Sequence, residues 1–201
     1  MLIDSHCHLD YLTAPDVGMD IDAILRSAAA AGVGRMLTVA VDRQNQPRVL
    51  AHARAHEQVF ASVGIHPSSC TGEPVSVAEL LALAAAPKVI AIGETGLDYY
   101  HGAGHAERQQ QSFVTHLQAA SRAALPVIVH TRDACDDTLR LLARHADPVH
   151  AGVMHCFTES LEMARAAMEM NFLISFSGII TFRNAAALRE ARREAAPRRR
   201  V

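Results

Sequence analysis

The sequence predicts an α/β fold in which short parallel strands alternate with helices. Apolar runs rich in β-branched residues recur along the 201-residue chain, as is typical of strands that are buried on both faces. Ala-rich segments of helical length separate these runs, and this alternation favours a parallel sheet with helices packed outside it. The seven predicted strands cover residues 2–8, 35–41, 59–65, 89–93, 127–130, 152–155 and 172–177.

Capping residues mark the ends of several predicted helices. Asp20 can cap a helix at its start, and Gly32 occupies the position after the helix end where glycine is favoured. Ser76 and Glu79 have the spacing of a capping box ahead of a Leu- and Ala-rich segment. The other predicted helices cover residues of about 107–124, 133–145 and 160–170.

The strand count predicts an incomplete barrel. A closed (β/α)8 barrel of the TIM type has eight strands and typically ~250 residues. Seven strands are accounted for, so we expect a barrel-type domain over residues 1–184 without the eighth strand and its helix. Residues 185–201 form an aberrant basic tail rich in Arg and Ala, and we hypothesise a frameshift or truncation near residue 190. The alternatives are a tail that contacts nucleic acid and a solvated chain end.

Composition indicates a reduced, cytoplasmic protein. Half of the residues are apolar, yet no run approaches the ~20 apolar residues of a membrane span, and polar residues interrupt the N-terminus where a secretory signal would lie. The four cysteines form no C-x-x-C pair, so we expect free thiols. A net charge of −2 excludes a general basic surface, so contact with a polyanion would have to be local or metal-mediated.

Five side chains suited to metal binding follow four of the predicted strands. His6 and His8 lie two residues apart at the end of the first strand, so their side chains are expected on one face. Glu94, His130 and His155 follow the fourth, fifth and sixth strands. Because the C-terminal ends of barrel strands form the rim that holds the active site, we expect all five to converge there.

The size of this set predicts two divalent ions, with Zn, Mn or Mg as candidates. Five ligands exceed what one catalytic zinc normally takes from a protein, and a carboxylate can bridge two cations ~3.5–4 Å apart. Glu94 is the only carboxylate of the set. We expect it to bridge one ion held by His6 and His8 and another held by His130 and His155. Such ions activate water for hydrolysis, and His155 or a nearby carboxylate is expected to accept the proton.

Three further rim residues are candidate substrate contacts. Arg132 follows a predicted ligand and could bind a phosphate through two guanidinium hydrogen bonds, or pair with a neighbouring aspartate. His66 ends the third strand and could contact substrate or support the metal ligands. Tyr99 and Asp98 are predicted on a loop above the barrel, where they would shape the pocket or cap the next helix.

Six short motifs occur in a fixed order across nearly the whole chain. They are Asp4-Ser-His-Cys-His-Leu-Asp10, Val63-Gly-Ile-His-Pro67, Ile92-Gly-Glu-Thr-Gly-Leu-Asp-Tyr99, Val129-His-Thr-Arg-Asp133, Met154-His-Cys-Phe157 and Ile174-Ser-Phe-Ser-Gly178. In this combination the chain resembles the TatD-like DNase family. The resemblance implies a TIM-barrel metallohydrolase that cleaves DNA phosphodiesters in the manner of a 3′–5′ exonuclease.

The same resemblance implies a ligand set and a substrate. The positions that match the family's metal ligands are His6, His8, Glu94, His130 and His155. DNA, as single strands or 3′ ends, is the implied partner, and we expect a monomer. The family pattern also has an aspartate in a Glu-Thr-Asp motif after the eighth strand. That motif is absent here, so one ion is expected to lack a ligand.

Two alternatives remain open at this point. A barrel amidohydrolase that cleaves C–N or lactone bonds also begins with H-x-H, and many binuclear members bridge their metals with a carboxylated lysine. The single lysine here, Lys88, precedes the fourth strand, and Glu94 takes the bridging position. The second alternative is an inactive fragment that binds one ion weakly, which a metal count would distinguish.

Overall fold

A computed structural model of the chain describes residues 1–194 and contains one parallel sheet. Each strand pairs with the next strand along the sequence, so the sheet order follows the chain order. The predicted α/β fold of the TIM-barrel type is confirmed, with seven strands in the described part of the chain. The strands are β1 (Leu2–Cys7), β2 (Val33–Thr38), β3 (Val59–Val63), β4 (Val89–Asp98), β5 (Val127–Arg132), β6 (Gly152–Met154) and β7 (Phe172–Ile174).

Helices connect the strands and cover the outside of the sheet. Phe113, Phe157 and Phe172 are fully buried in the main core. The helices within residues 1–194 are α1 (Leu9–Leu12), α2 (Ile21–Ala30), α3 (Gln46–Ala55), α4 (Val77–Ala84), α5 (Tyr99–Gly102), α6 (Ala106–Ala123), α7 (Cys135–His145), α8 (Leu161–Glu169) and α9 (Ala186–Glu194). Short 3-10 helices add Pro67–Ser69, Ala103–His105 and Gly178–Thr181.

The sheet is curled into a partial barrel. A small inner cluster of Val39, Ala91 and Ile128 comes from three different strand regions. The rings of His6 and His155 touch, although β1 and β6 are not neighbours in the sheet order. Since β1 and β7 are the two edges, Leu2 near the start of β1 is 62% exposed.

Predicted helix starts agree with the structure. The Asp20 side chain accepts a hydrogen bond from the Asp22 N–H, and Ser76 accepts one from the Glu79 N–H. Gly32 follows α2 with a φ of +88°, as expected for a glycine after a helix end. Local capping chemistry therefore places these boundaries correctly.

Strand β4 is longer than predicted, which changes the place of Asp98 and Tyr99. The strand continues through Glu94 to Asp98, and Tyr99 begins α5, so the prediction of a loop for these two residues is wrong. The apolar run ends at Gly93, but β5 supplies parallel partners as far as Asp98. Gly96 permits this pairing, because a Cβ at its φ of +138° would overlap the His130 carbonyl.

The described part of the predicted tail is a helix that packs against the barrel. Ala191 in α9 is 1% exposed, and the Arg189 guanidinium donates hydrogen bonds to the carbonyls of Ile180 and Phe182. Residues 195–201 lie outside the described residues, so the division of the chain at residue 184 stays a prediction. In residues 1–194, none of the helices combines the length and apolar character needed to cross a bilayer.

Candidate metal centre

Glu94 lies at the centre of a histidine cluster at the C-terminal ends of the strands. It is 5% exposed, and its two carboxylate oxygens face different imidazoles. Oε2 lies 3.4 Å from His6 Nε2, whereas Oε1 lies 3.4 Å from His130 Nδ1 and 3.9 Å from His66 Nε2. Burial opposes ionisation, but hydrogen bonds from His130 and His6 hold the pKa of Glu94 well below its usual range. The central carboxylate is therefore charged at neutral pH.

The cluster divides into two sets of potential ligands that share Glu94. One set adds His6 and His155, whose rings stack with centroids 3.4 Å apart, and the other adds His66 and His130. Within each set the ligand atoms lie within 4.8 Å of one another. These sets differ from the expected pairs of His6 with His8 and of His130 with His155. His8 lies just beyond the end of β1 at Cys7, so the alternation of side chains along the strand does not extend to it.

His8 lies beside these two sets and has a defined tautomer. Its Nδ1 lies 3.2 Å from the carbonyl of Val39, and a carbonyl can only accept, so the proton is on Nδ1. Its ring stacks on Tyr11 at 5.1 Å and is also 5.1 Å from the His6 ring. The Nε2 lone pair is consequently free to bind a cation, and burial lowers the pKa of His8.

His130 is held between two carboxylates. Its Nε2–H donates to Asp98 Oδ2 at 3.2 Å, and its Nδ1 is the ring atom that faces Glu94. Asp98 is 3% exposed, and its own backbone N–H and C=O are both bound by the side chain of Gln109. Burial alone would lower the pKa of His130, but Glu94 and Asp98 together raise it. Asp98 thus fixes the orientation of the ring, as is common for a metal-binding histidine.

His66 has the opposite tautomer. The Ser68 N–H donates to His66 Nδ1 at 3.2 Å, so the neutral ring carries its proton on Nε2, towards Glu94. Fully buried His116 accepts a hydrogen bond from the Ile65 N–H at 3.0 Å and thereby positions this segment. Burial lowers the pKa of His66 to about 4. A neutral ring with Nε2–H suits donation to a substrate oxygen better than binding a cation.

The residues present fit a divalent cation. His6 Nδ1 is buried and has no hydrogen-bond partner within the described chain, which is costly for a polar atom without a bound ligand. Burial, followed by the neighbouring His6, lowers the pKa of His155 to about 4, so its ring is neutral and has a lone pair available. Imidazoles around an ionised carboxylate form a donor set typical of Zn, Mn or Fe.

The predicted substrate residues have different surroundings. Arg132 is exposed, and its guanidinium carbon lies 4.3 Å from the ring centroid of Tyr100. Within residues 1–194 it forms no ion pair with an aspartate. The Tyr99 hydroxyl donates to Asp137 at 2.8 Å and accepts from Gln110 at 2.6 Å, which ties it to the outer helices. Their substrate contacts stay predictions, and sequence reasoning missed the exposed Tyr100.

Comparison with known proteins agrees with this geometry. A family model described as TatD related DNase matches residues 3–201. An uncharacterized metal-dependent hydrolase of Escherichia coli K12, YcfH, is 44% identical over 192 residues, which cover 96% of this chain and 72% of the relative. The hydrolase YabD of Bacillus subtilis is 35% identical over 96% of this chain and 75% of its own length.

A solved relative has the same fold. The crystal structure of YjjV, a TatD homologue from Escherichia coli K12, superposes with a TM-score of 0.88 at 33% identity and covers 99% of this chain and 76% of that protein. A TatD-family hydrolase from Entamoeba histolytica, at 22% identity, shares the fold with a TM-score of 0.83, 98% of this chain and 71% of that protein. Because the family match extends over nearly every residue and the relatives are aligned over most of their length, this chain belongs to the TatD related DNase family of metal-dependent hydrolases.

Proposed function

We propose that this protein is a deoxyribonuclease that hydrolyses DNA phosphodiesters from a strand end with two divalent ions bound around Glu94. The observation that carries the proposal is the central carboxylate, whose two oxygens face separate sets of imidazoles. A carboxylate in this position can bridge two cations, as in other two-metal hydrolytic sites. When bound, such ions polarise a phosphoryl oxygen and activate water.

The side chains have separate tasks in this proposal. His6, His8, His130 and His155 supply lone pairs to the ions, together with the Glu94 carboxylate. His155 was expected to accept a proton as well, but its pKa of about 4 favours a ligand role at neutral pH. It therefore enters the proposal as a ligand and a member of the catalytic centre.

Two cationic or proton-bearing groups are assigned to the substrate phosphate. His66 presents Nε2–H at the edge of the cluster, where it can donate to a phosphoryl oxygen. Arg132, two residues beyond His130 on β5, has a guanidinium without a carboxylate partner in residues 1–194 and can bind phosphate in a bidentate manner. Tyr99 supports the rim through its hydrogen bonds to α6 and α7 rather than through the substrate.

The amidohydrolase alternative receives no support from Lys88. Its ammonium group donates to the carbonyl of Ala53 at 2.8 Å and lies 5.2 Å from the ring centroid of Phe60. Lys88 precedes β4, at the end of the sheet opposite to the metal centre, so it cannot bridge ions there. We place the reaction in the cytoplasm, where the four free cysteines would remain reduced.

The test combines a metal count with a nuclease assay. The protein is loaded with Mn²⁺ and assayed for release of nucleotides from single-stranded DNA, beside Glu94→Gln, which keeps the side-chain shape. We expect two bound ions and metal-dependent hydrolysis in the native protein, with fewer ions and an activity loss beyond the ~10–100-fold typical of an outer-shell partner in the variant. Wild-type activity in Glu94→Gln would refute the proposal, and a folded native protein that binds at most one ion would support the inactive-fragment alternative.

A further inference from the structure

Two exposed side chains border the metal centre on the rim of the barrel. Tyr100 lies in α5, directly after β4, and is 62% exposed. Arg132 is the last residue of β5, where it pairs in register with Asp98. Because Arg132 follows His130 by two residues on the strand, both side chains lie on the same face of the sheet. A group bound at Arg132 is therefore adjacent to the metal centre.

The two side chains contact each other as a cation–π pair, which is called the platform below. The guanidinium carbon of Arg132 lies 4.3 Å from the ring centroid of Tyr100, well within the ~6 Å range of cation–π contacts. The His101 ring packs edge-on against the same tyrosine at 4.7 Å. Contacts on one side and at the edge hold the Tyr100 ring in place, although most of its surface is open to solvent.

Neither group is engaged by polar partners in the described part of the chain. The Tyr100 side chain makes no hydrogen bond there, in contrast to that of Tyr99, and Arg132 makes no ion pair, although its charge acts to lower the pKa of nearby Glu159. The nearby carboxylates have other partners: Asp98 binds His101 and His130, and Glu159 accepts the Asp133 N–H. The described part of the chain thus leaves an exposed aromatic ring and a guanidinium without a close ion pair together beside the metal centre.

We infer that Tyr100 and Arg132 form a nucleobase subsite for single-stranded nucleic acid. The inference rests on the proposed function, which places a phosphodiester at the neighbouring ions. An aromatic ring stacks any base, and an arginine beside it adds a cation–π contact and attracts the adjacent phosphate. Bases in a duplex are already stacked on their neighbours, so the platform selects unpaired nucleotides at an end or in a single strand.

The test distinguishes binding of the bases from binding of the phosphate backbone. Binding of fluorescein-labelled dU8, rU8 and an abasic deoxy octamer of the same length is measured by anisotropy, in EDTA and again with Ca²⁺. The variants are Tyr100→Ala, Tyr100→Phe as the aromatic match, and Val149→Ala as an exposed apolar control that precedes β6 at the far end of the sheet. All octamers carry the same backbone charge, so differences between them report the bases.

We expect the native protein to bind dU8 about 5- to 150-fold more tightly than the abasic octamer, as one stacked base would produce. Tyr100→Ala should remove this preference and leave abasic binding unchanged, whereas Tyr100→Phe and Val149→Ala should keep it. Equal affinity of the native protein for dU8 and the abasic octamer under both conditions would overturn the inference, as would an unchanged preference in Tyr100→Ala. Comparison of dU8 with rU8 shows whether the bound base comes from DNA or RNA. A native protein that keeps the base preference but does not hydrolyse single-stranded DNA would count against the proposed function alone.

Discussion

Substitution of Asp98 by asparagine tests how the chain orients a metal ligand. Asp98 accepts the Nε2–H of His130 at 3.2 Å and so directs Nδ1, the atom that would bind a cation, towards Glu94. An asparagine keeps the size of the side chain but loses the charge, and its amide can present N–H to the ring instead of oxygen. The side chain cannot move away easily, because Gln109 binds the backbone of this residue on both sides.

The magnitude follows from the role of a carboxylate behind a metal-binding histidine. Loss of such a partner typically lowers metal affinity or activity by ~10–100-fold, or about 1.4–2.7 kcal/mol. We expect this loss for one of the two ions in calorimetric titration of metal-free Asp98→Asn with Mn²⁺. In ¹⁵N spectra of the metal-loaded protein, the proton of His130 should no longer reside exclusively on Nε2 in the variant.

His101→Gln is the matched control for this substitution. His101 is the other side chain that binds the Asp98 carboxylate in the described residues, at 2.8 Å, and it is 58% exposed, so its loss leaves the contact to His130 intact. We expect less than about a threefold change in Mn²⁺ affinity, since an exposed pair contributes little. Native affinity and an unchanged tautomer in Asp98→Asn would refute the orienting role, and equal losses in the two variants would show that His130 is not the target.

Three further predictions concern residues around the site. His116 is fully buried with a pKa lowered to about 4 by burial, so only the unfolded chain binds its proton between pH 6.5 and 4, and stability must fall as the pH falls. Between pH 7 and 5 the free energy of unfolding should fall by roughly 2 kcal/mol because of this residue. In urea unfolding of His116→Gln, that contribution to the pH dependence should be absent. His66→Gln should retain both ions by mass spectrometry yet hydrolyse DNA at least about 10-fold more slowly. His130→Gln, in contrast, should lose an ion. Loss of an ion in His66→Gln but not in His130→Gln would make His66 a ligand. Gly96→Ala would drive a methyl group into the His130 carbonyl, so its free energy of unfolding, measured with urea, should be lower by at least about 1–3 kcal/mol. A native free energy of unfolding would contradict the close approach of β4 and β5.

Local sequence predicts most of the framework. Short β-branched runs separated by amphipathic segments indicate parallel strands, and capping residues such as Asp20 and Ser76 mark helix starts, because both depend on neighbours along the chain. The convergence of His6, Glu94, His130 and His155 was also predictable, since parallel strands all end at one rim. These inferences need no knowledge of which strand ends lie across the barrel from one another.

Tertiary structure decided how these residues are used. The sequence alone determined that imidazoles and a carboxylate meet at a strand-end rim in an α/β barrel. Only the folded chain stacks His6 on His155, extends β4 to Asp98, and leaves Tyr100 exposed while Tyr99 is bound. The physical reason is that ring orientation and tautomer depend on acceptors from distant segments, such as the carbonyl opposite His8, and strand length depends on partners supplied by the neighbouring strand.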